Sequence, residues 1–528
     1  MKNNIFKYIF IIFAVVIVIF AIYMIYFRKD SNENINEIES SEEVKEVKDL
    51  RLGISNFDTL NPLLSNNKEV LNIDKIIFEP LMTIDKDYKL QKCLATECSK
   101  TSDTTYIIKI DNDKKWHNDS SLIAKDINFT IERLKEGNSI YSYNVEKISN
   151  VEILDSETIK ITLTEEVPFF EYNLTFPILP SNYYVGEDFN SSTKIPIGTG
   201  MYKIDSIVDS IITLKKNENW WNIKNKNPKI ETIQIKLYSE IGELYNNFKM
   251  GNTDIFTSSN SNLEQYIGTI GYVKNAYKGR EFDYLAFNCE DDILSDKAVR
   301  KAINCCIDKA NIVSSIFGDT KIQNDFPLDY GNYLYDPNII KLQYSEEEAK
   351  NILQDAGWEY KYNSWQKTEN YRTKRLNFTL TVEANDGERI AVAENIKEQL
   401  ARLGIKISIK KVSDRQFQNT LENKNYEMIL AGVYNSFSPD ISSFLTGDNL
   451  QNYNNEEISK LINESKNISD ENLLKEKYKK IQEIFFDEQP FIGLYRNKVY
   501  IVKNRALSGE VNGNNYFSYY NLEDWNRI

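Results

Sequence analysis

The 528-residue chain is 41% apolar and 27% charged, an ordinary globular composition with length enough for about three domains or lobes. Its formal net charge of −14 and pI near 5.0 exclude nucleic acid as a partner, because phosphate contacts need clustered lysine and arginine. A single histidine, His117, is all that any Ser-His-Asp or Cys-His mechanism would have to work with.

In chain order, the first element is an apolar run from Ile9 to Phe27, 19 residues without a charge. A helix of that length covers about 28 Å, close to the roughly 30 Å hydrocarbon core of a bilayer. Lys2 and Lys7 precede it; Arg28 and Lys29 follow, succeeded at once by Asp30 and Glu33. The reading is an uncleaved anchor over 1–29 with its N-terminus inside. A cleavable signal peptide would carry a shorter apolar region followed by small residues, whereas this run ends in the bulky Tyr23–Phe27. No cysteine precedes Cys93, which excludes a lipid-modified cysteine here. Residues 30–49 hold eight acidic side chains against Lys45 and Lys48 and no aromatic one, the pattern of a solvated stalk.

From Leu50 onward short strand-like runs alternate with amphipathic helices. Thr105–Ile110 and Thr158–Leu163 are rich in β-branched residues and read as strands. Between them, Leu122, Ile123, Ile127, Ile131 and Leu134 recur at helical spacing over 121–134. Ser345 followed by Glu348 is a capping-box pattern that opens a helix ending near Gly357. Val392–Leu403 reads as a helix stopped by Gly404 and followed by the strands Ile405–Lys410 and Tyr426–Val433. Glu471–Phe486 is a further helix, stopped by Pro490. The alternation predicts mixed α/β layers.

Catalytic and metal motifs are missing: there is no C-x-x-C, H-E-x-x-H, G-x-S-x-G or Walker A loop, and no pair among the 78 acidic residues stands out. No cofactor, metal site or catalytic residue is expected. His117, in Lys115-Trp-His-Asn-Asp119, is expected to be structural or superficial. Cys305 and Cys306 are expected in the core, and Cys93 and Cys98 are close enough in sequence to pair in an oxidising exterior.

Several segments carry a family resemblance. Arg51-Leu-Gly-Ile with Phe57-Asp-Thr-Leu-Asn-Pro62, Lys115–Asp119 with Ala124–Phe129, Pro196-Ile-Gly-Thr-Gly-Met-Tyr202 with Asn219-Trp-Trp221, Phe287-Asn288 with Ser295–Ala302, and Glu348–Leu353 with Ala356-Gly-Trp358 fall in order along the soluble part. Together they resemble the family 5 extracellular solute-binding proteins of ABC importers, which serve oligopeptides, dipeptides and nickel chelates. Ser120 replaces a glycine of the family pattern.

The resemblance implies an α/β, two-lobed periplasmic-binding-protein-like fold with an extra inserted domain, here preceded by one transmembrane helix. Lobe I would combine 50–80, 195–285 and 490–528; the insert would span 81–194, and lobe II 286–489. The implied role is to capture peptides in the interlobe cleft and deliver them to ABC permease subunits. A same-fold receptor for a metal chelate, or a peptide sensor without transport, is the alternative, and a cleft hydrolase is disfavoured by the histidine count. The positions matching the family's ligand contacts are Ser65, Asn66, Asn67 and Lys68, and Ala431, Gly432, Val433, Tyr434, Asn435 and Ser436. Many peptide-binding members place an aspartate four residues before the proline equivalent to Pro439, where it holds the ligand's α-ammonium. Here that position is Asn435, so Asp440 takes over, or the ligand lacks a free amino terminus, or it is not a peptide.

Overall fold

The computed structural model describes residues 49–188, 190–260 and 262–527. The apolar run Ile9–Phe27 and the acidic stretch up to residue 48 lie outside these. Among the described residues no helix is long and apolar enough to cross a membrane. Asp49, assigned above to the stalk, is instead the first residue of a strand, where it pairs with Thr232.

One large sheet organises the chain. Its strands are β1 (Asp49–Ser55), β2 (Tyr202–Val208), β3 (Ile211–Lys216), β4 (Thr232–Tyr238), β5 (Ile255–Ser258), β6 (Tyr272–Phe287), β7 (Lys321–Gln323), β8 (Asn377–Glu383), β9 (Lys406–Val412), β10 (Met428–Tyr434) and β11 (Phe491–Asn504). They lie in the order β9-β8-β10-β6-β11-β5-β1-β4-β3-β2, with β7 beside β11. The parallel pairs β1–β4 and β8–β9 sit in opposite halves, each with helices packed on it, as buried parallel strands require.

The halves are joined by β6 and β11, two long antiparallel strands that run through both. Tyr272–Lys278 pairs with Lys498–Asn504 in the first half, and Phe282–Ala286 pairs with Phe491–Arg496 in the second. The register shifts between Lys278 and Phe282 and again between Asp283 and Tyr284. Such irregularities bend and twist a strand, so they mark the crossing point between the halves.

Each half has its own core. Leu50, Leu52, Ile233, Ile235 and Ile255 of the first half share one hydrophobic cluster with Tyr106, Ile108, Ile159 and Ile161. The last four belong to a separate four-stranded sheet built from Ala95–Ser102, Thr105–Ile110, Ile148–Ile153 and Thr158–Leu163. Leu285, Leu380, Val382, Met428 and Leu430 anchor the core of the second half, where Cys305 and Cys306 are buried as small apolar residues. A third, aromatic cluster brings Tyr88 and Tyr516 against Phe282, Tyr330 and Phe491.

The helices form where capping residues start them. Asn67 caps α1 (Lys68–Ile77), accepting from the N–H groups of Glu69 and Val70. In α2 (Ala124–Lys135) the Asp126 carboxylate reaches back to the Ile123 N–H, so the helix begins three residues later than its apolar spacing suggested. Asp296 caps α3 (Lys297–Cys306), and Ser345 caps α4 (Glu346–Asp355). Helix α5 (Gly387–Leu403) ends on Gly404 in the left-handed conformation, and α6 (Glu471–Glu488) runs two residues past its expected end.

Candidate functional site

Most motif residues build scaffold. Gly198 and Gly200 press against the end of α1, where the Gly200 N–H donates to the Ile77 carbonyl at 2.9 Å. His117 locks this turn: its Nδ1 accepts from the Gly198 N–H at 3.1 Å, and its Nε2 lies 3.2 Å from the Gly200 carbonyl. A carbonyl only accepts and an amide N–H only donates, so the ring is neutral with its hydrogen on Nε2. Burial, aided by Lys203, pushes its pKa down to about 4 against the bonus of the Gly200 bond.

A second motif knot lies beside it. Glu79 accepts from both indole N–H groups of Trp220 and Trp221, at 2.9 and 2.7 Å, and from the Thr199 hydroxyl at 2.8 Å. Burial raises the Glu79 pKa while these bonds and Lys114 oppose the shift. Asp126 takes four hydrogen bonds, from the Trp116 indole, the Ile123 amide, and the amide and hydroxyl of Ser181. Arg300 does not pair with Asp296; it binds the carbonyls of Leu294, Ser295, Glu488 and Gln489. All of these groups are spent on the protein itself.

The two segments singled out as ligand-facing meet in space. Ser65 is wholly buried, its hydroxyl bonded to Asp58, whose carboxylate also accepts the Asn66 and Asn67 amides. Asn67 is the cap of α1. That leaves Lys68, an exposed side chain whose Nζ lies 6.0 Å from the centre of the Tyr434 ring. Ala431 is buried in the aromatic core, whereas Gly432 and Tyr434 are exposed.

The backbone of this segment has an open side. Residues 428–434 of β10 pair along their length with β6, but on the other side β8 meets only Met428 and Ile429. From Leu430 to Tyr434 that edge has no ladder partner among the described residues. Beside it lies a cavity of about 340 Å³, lined by Gly432, Val433, Tyr434, Asp283, Asp386 and Arg389 among others. Arg389 binds Asp283 through Nε and Nη2 at 3.1 and 2.8 Å, fixing the wall.

Asn435 is buried and fully engaged. Its amide N–H donates to the Arg280 carbonyl, its Nδ2 to the Pro327 carbonyl at 3.1 Å, and its Oδ1 accepts from Arg496 at 3.4 Å. Ser436 accepts from the Ser438 amide, and Asp440 accepts the Ser442 amide on Oδ1 at 2.9 Å, at the start of the short helix Ser442–Leu445.

Sequence reasoning missed three cations here, two of them on Asn435 itself. The Arg280 guanidinium lies 4.4 Å from the Tyr434 ring centre and 3.8 Å from that of Phe437, and its Nε donates to the Asn435 carbonyl at 2.5 Å. Arg496 is wholly buried between Phe282 and Tyr330, bonded to backbone carbonyls. Lys75 lies over Tyr516 at 5.0 Å and bonds the Leu71 carbonyl. Burial holds Arg280 below the usual guanidinium range, Arg496 at about 10 and Lys75 at about 8. The available signal was a cation closing an apolar run, Phe491–Tyr495 before Arg496.

None of the five cysteines is in a disulfide, so the expected option of a Cys93–Cys98 pair is not taken. Among the described residues no group of three or more His, Cys, Asp or Glu is placed to hold a metal.

Comparison with known proteins agrees with this architecture. Residues 89–455 match the model of the bacterial extracellular solute-binding proteins, family 5 Middle. The chain is 24% identical over 511 residues to the oligopeptide-binding protein AppA of Bacillus subtilis, covering 90% of this chain and 91% of AppA. The solved structure of AppA with a nonapeptide superposes with a TM-score of 0.55 at 22% identity, covering 91% and 99% of the two chains. HbpA2 of Haemophilus parasuis gives a TM-score of 0.75 at 20% identity over 89% and 98%. NikZ of Campylobacter jejuni, in complex with Ni(L-His), gives 0.57 at 23% over 91% and 100%. The chain belongs to the family 5 extracellular solute-binding proteins of ABC importers.

Proposed function

We propose that this chain is a membrane-anchored extracellular receptor that captures peptides between the two halves of its sheet and delivers them to the permease subunits of an ABC importer. The observation that carries the peptide reading is the unpaired main-chain edge of β10 from Leu430 to Tyr434, with a cavity beside it. An extended peptide adds to such an edge through its backbone, which gives affinity independent of side chains, while a roomy pocket admits varied residues. The name of AppA, an oligopeptide-binding protein, supports the same reading.

The bends in β6 and β11 supply the hinge. Residues 50–80, 195–280 and 498–527 act as one lobe carrying the insert 81–194, and 281–497 as the other, so the expected boundaries at 285 and 490 move to the bends in β6 and β11; closing about the bends buries the solute. The anchor reading rests on the uncharged run Ile9–Phe27 and the acidic residues after it. A tether of that kind keeps the cleft near a membrane partner and raises its effective concentration there.

The test is native mass spectrometry of the full chain in detergent, purified from cells grown in peptide-rich medium. Retained peptide masses support the reading. A retained metal chelate or other non-peptide solute overturns the peptide assignment but not the receptor. The intact mass also reads the anchor: a mature chain lacking Ile9–Phe27 refutes it.

A further inference from the structure

The site is electrostatically inverted with respect to the protein around it. The chain carries a net charge of −14, yet Arg280, Arg496, Lys75 and Lys68 converge on the aromatic residues Tyr434, Phe437, Tyr330 and Tyr516. Neighbouring cations pair with carboxylates, Lys278 with Asp329, Lys309 and Lys341 with Asp325, Arg389 with Asp283, whereas Lys114 in the insert bonds two carbonyls and lies over Trp221. None of these four cations forms an ion pair among the described residues. Their partners are carbonyls, an amide oxygen and ring faces.

Buried charge left without a counter-ion is costly, and an acidic protein has carboxylates to spare. The acids near this group are otherwise engaged. Asp58 holds the loop before α1, Glu281 faces Lys321, and Asp440 accepts the Ser442 amide. Asp74, next to Lys75 in α1, is buried with no hydrogen-bond partner for either oxygen, and burial raises its pKa well above the usual carboxylate value.

At the position where an aspartate would hold an ammonium, Asn435 is neutral and spent on Arg496 and Pro327. Arg280 takes the space beside it. Its guanidinium, a planar fork, is already oriented by two rings and one carbonyl.

We propose that the solute of this receptor carries an acidic group, carboxylate or phosphate, that seats on Arg280 at the bend of β6, with Lys68 of the first half closing over it. This rests on the receptor reading above and names the charge of its ligand. The free amino terminus of a peptide then contributes nothing at Asn435, and the acidic end or an acidic side chain becomes the anchor.

The experiment uses the full chain in detergent and three versions of one library of tripeptides to hexapeptides: unblocked, N-acetylated and C-amidated. Inorganic phosphate, added as a competitor, separates a phosphate-specific seat from a carboxylate one. Expected are equal retention of acetylated and unblocked peptides and about tenfold weaker retention of amidated ones, the size of a charge-assisted contact. Acidic side chains should be enriched among any amidated peptides retained. Arg280→Gln should collapse the acid preference and Arg280→Lys restore part of it. Lys68→Gln, at an exposed position, should weaken it without any demand on folding. Equal binding of acid and amide forms, or loss on acetylation, overturns the anion anchor alone. Failure of every library and of phosphate to bind overturns the peptide reading with it.

Discussion

Protonating His117 sets two donors against each other, because its Nδ1 faces the Gly198 N–H at 3.1 Å. The folded chain therefore holds the ring neutral down to about pH 4, against 6.5 for a free imidazole. That difference corresponds to about 3 kcal/mol of folding free energy. The sign follows from proton binding. Between pH 6.5 and about 4 the unfolded chain takes up a proton that the folded chain refuses. This contribution is whole above pH 6.5, shrinks as pH falls through that window, and is lost below it. Buried carboxylates such as Glu69, raised to about 7, also titrate near this range, so the contribution must be read as a difference. His117→Asn keeps an acceptor for the Gly198 N–H and cannot be protonated. Denaturant unfolding of both chains at pH 7.5, 6, 5 and 4 should show the wild type losing about 3 kcal/mol relative to the variant. With one histidine in the chain, its ring signals in an NMR titration belong to one site. A ring that titrates near 6.5 in the folded protein, or a flat difference between the two profiles, would refute the reasoning.

Two further outcomes follow from packing and burial. Gly198→Ala places a β-carbon onto the Ile77 carbonyl, while Gly251, at φ 76°, has no atom within 4 Å of that position. Denaturation should therefore show a loss above about 3 kcal/mol for Gly198→Ala and only about 1–2 kcal/mol for Gly251→Ala; equal losses would remove the close-approach argument. Burial pushes the Cys289 and Cys305 thiols to about 11 and Cys98 to about 12, and raises Cys93 and Cys306 as well. A thiol reagent near pH 8 should find almost none reactive in the folded chain and all five after denaturation without reductant. A count of three would mean that one pair is bonded.

The sequence was most legible where local pattern and tertiary role agree. Thr105–Ile110 and Thr158–Leu163 are strands over the expected residues, because alternating β-branched side chains bury one face of a small sheet. The start of α2 was misplaced because Leu122 and Ile123 keep the helical spacing although their backbone is outside it; the cap from Asp126 decides the boundary. Helix α5 begins five residues before Val392, where Asp386 caps it ahead of the periodic apolar positions. At the site, Lys68 and Tyr434 were named from the resemblance, and the fold brings them face to face. Arg280, Arg496 and Lys75 were not legible. What sets them apart is their convergence on one group of aromatic rings, and that depends on how distant segments come together in the fold.

The position of β11 also governs when the molecule can become itself. It is the last of the eleven sheet strands to be synthesised, yet it lies in the interior, between β6 and β5. Until residue 504 has left the ribosome, β5 lacks one neighbour, β6 lacks one side of its ladder, and the two halves have only one of their two connecting strands. Pairings of such large sequence separation form slowly, because the loop must close before any contact repays it. The nascent chain is therefore held open through most of its synthesis.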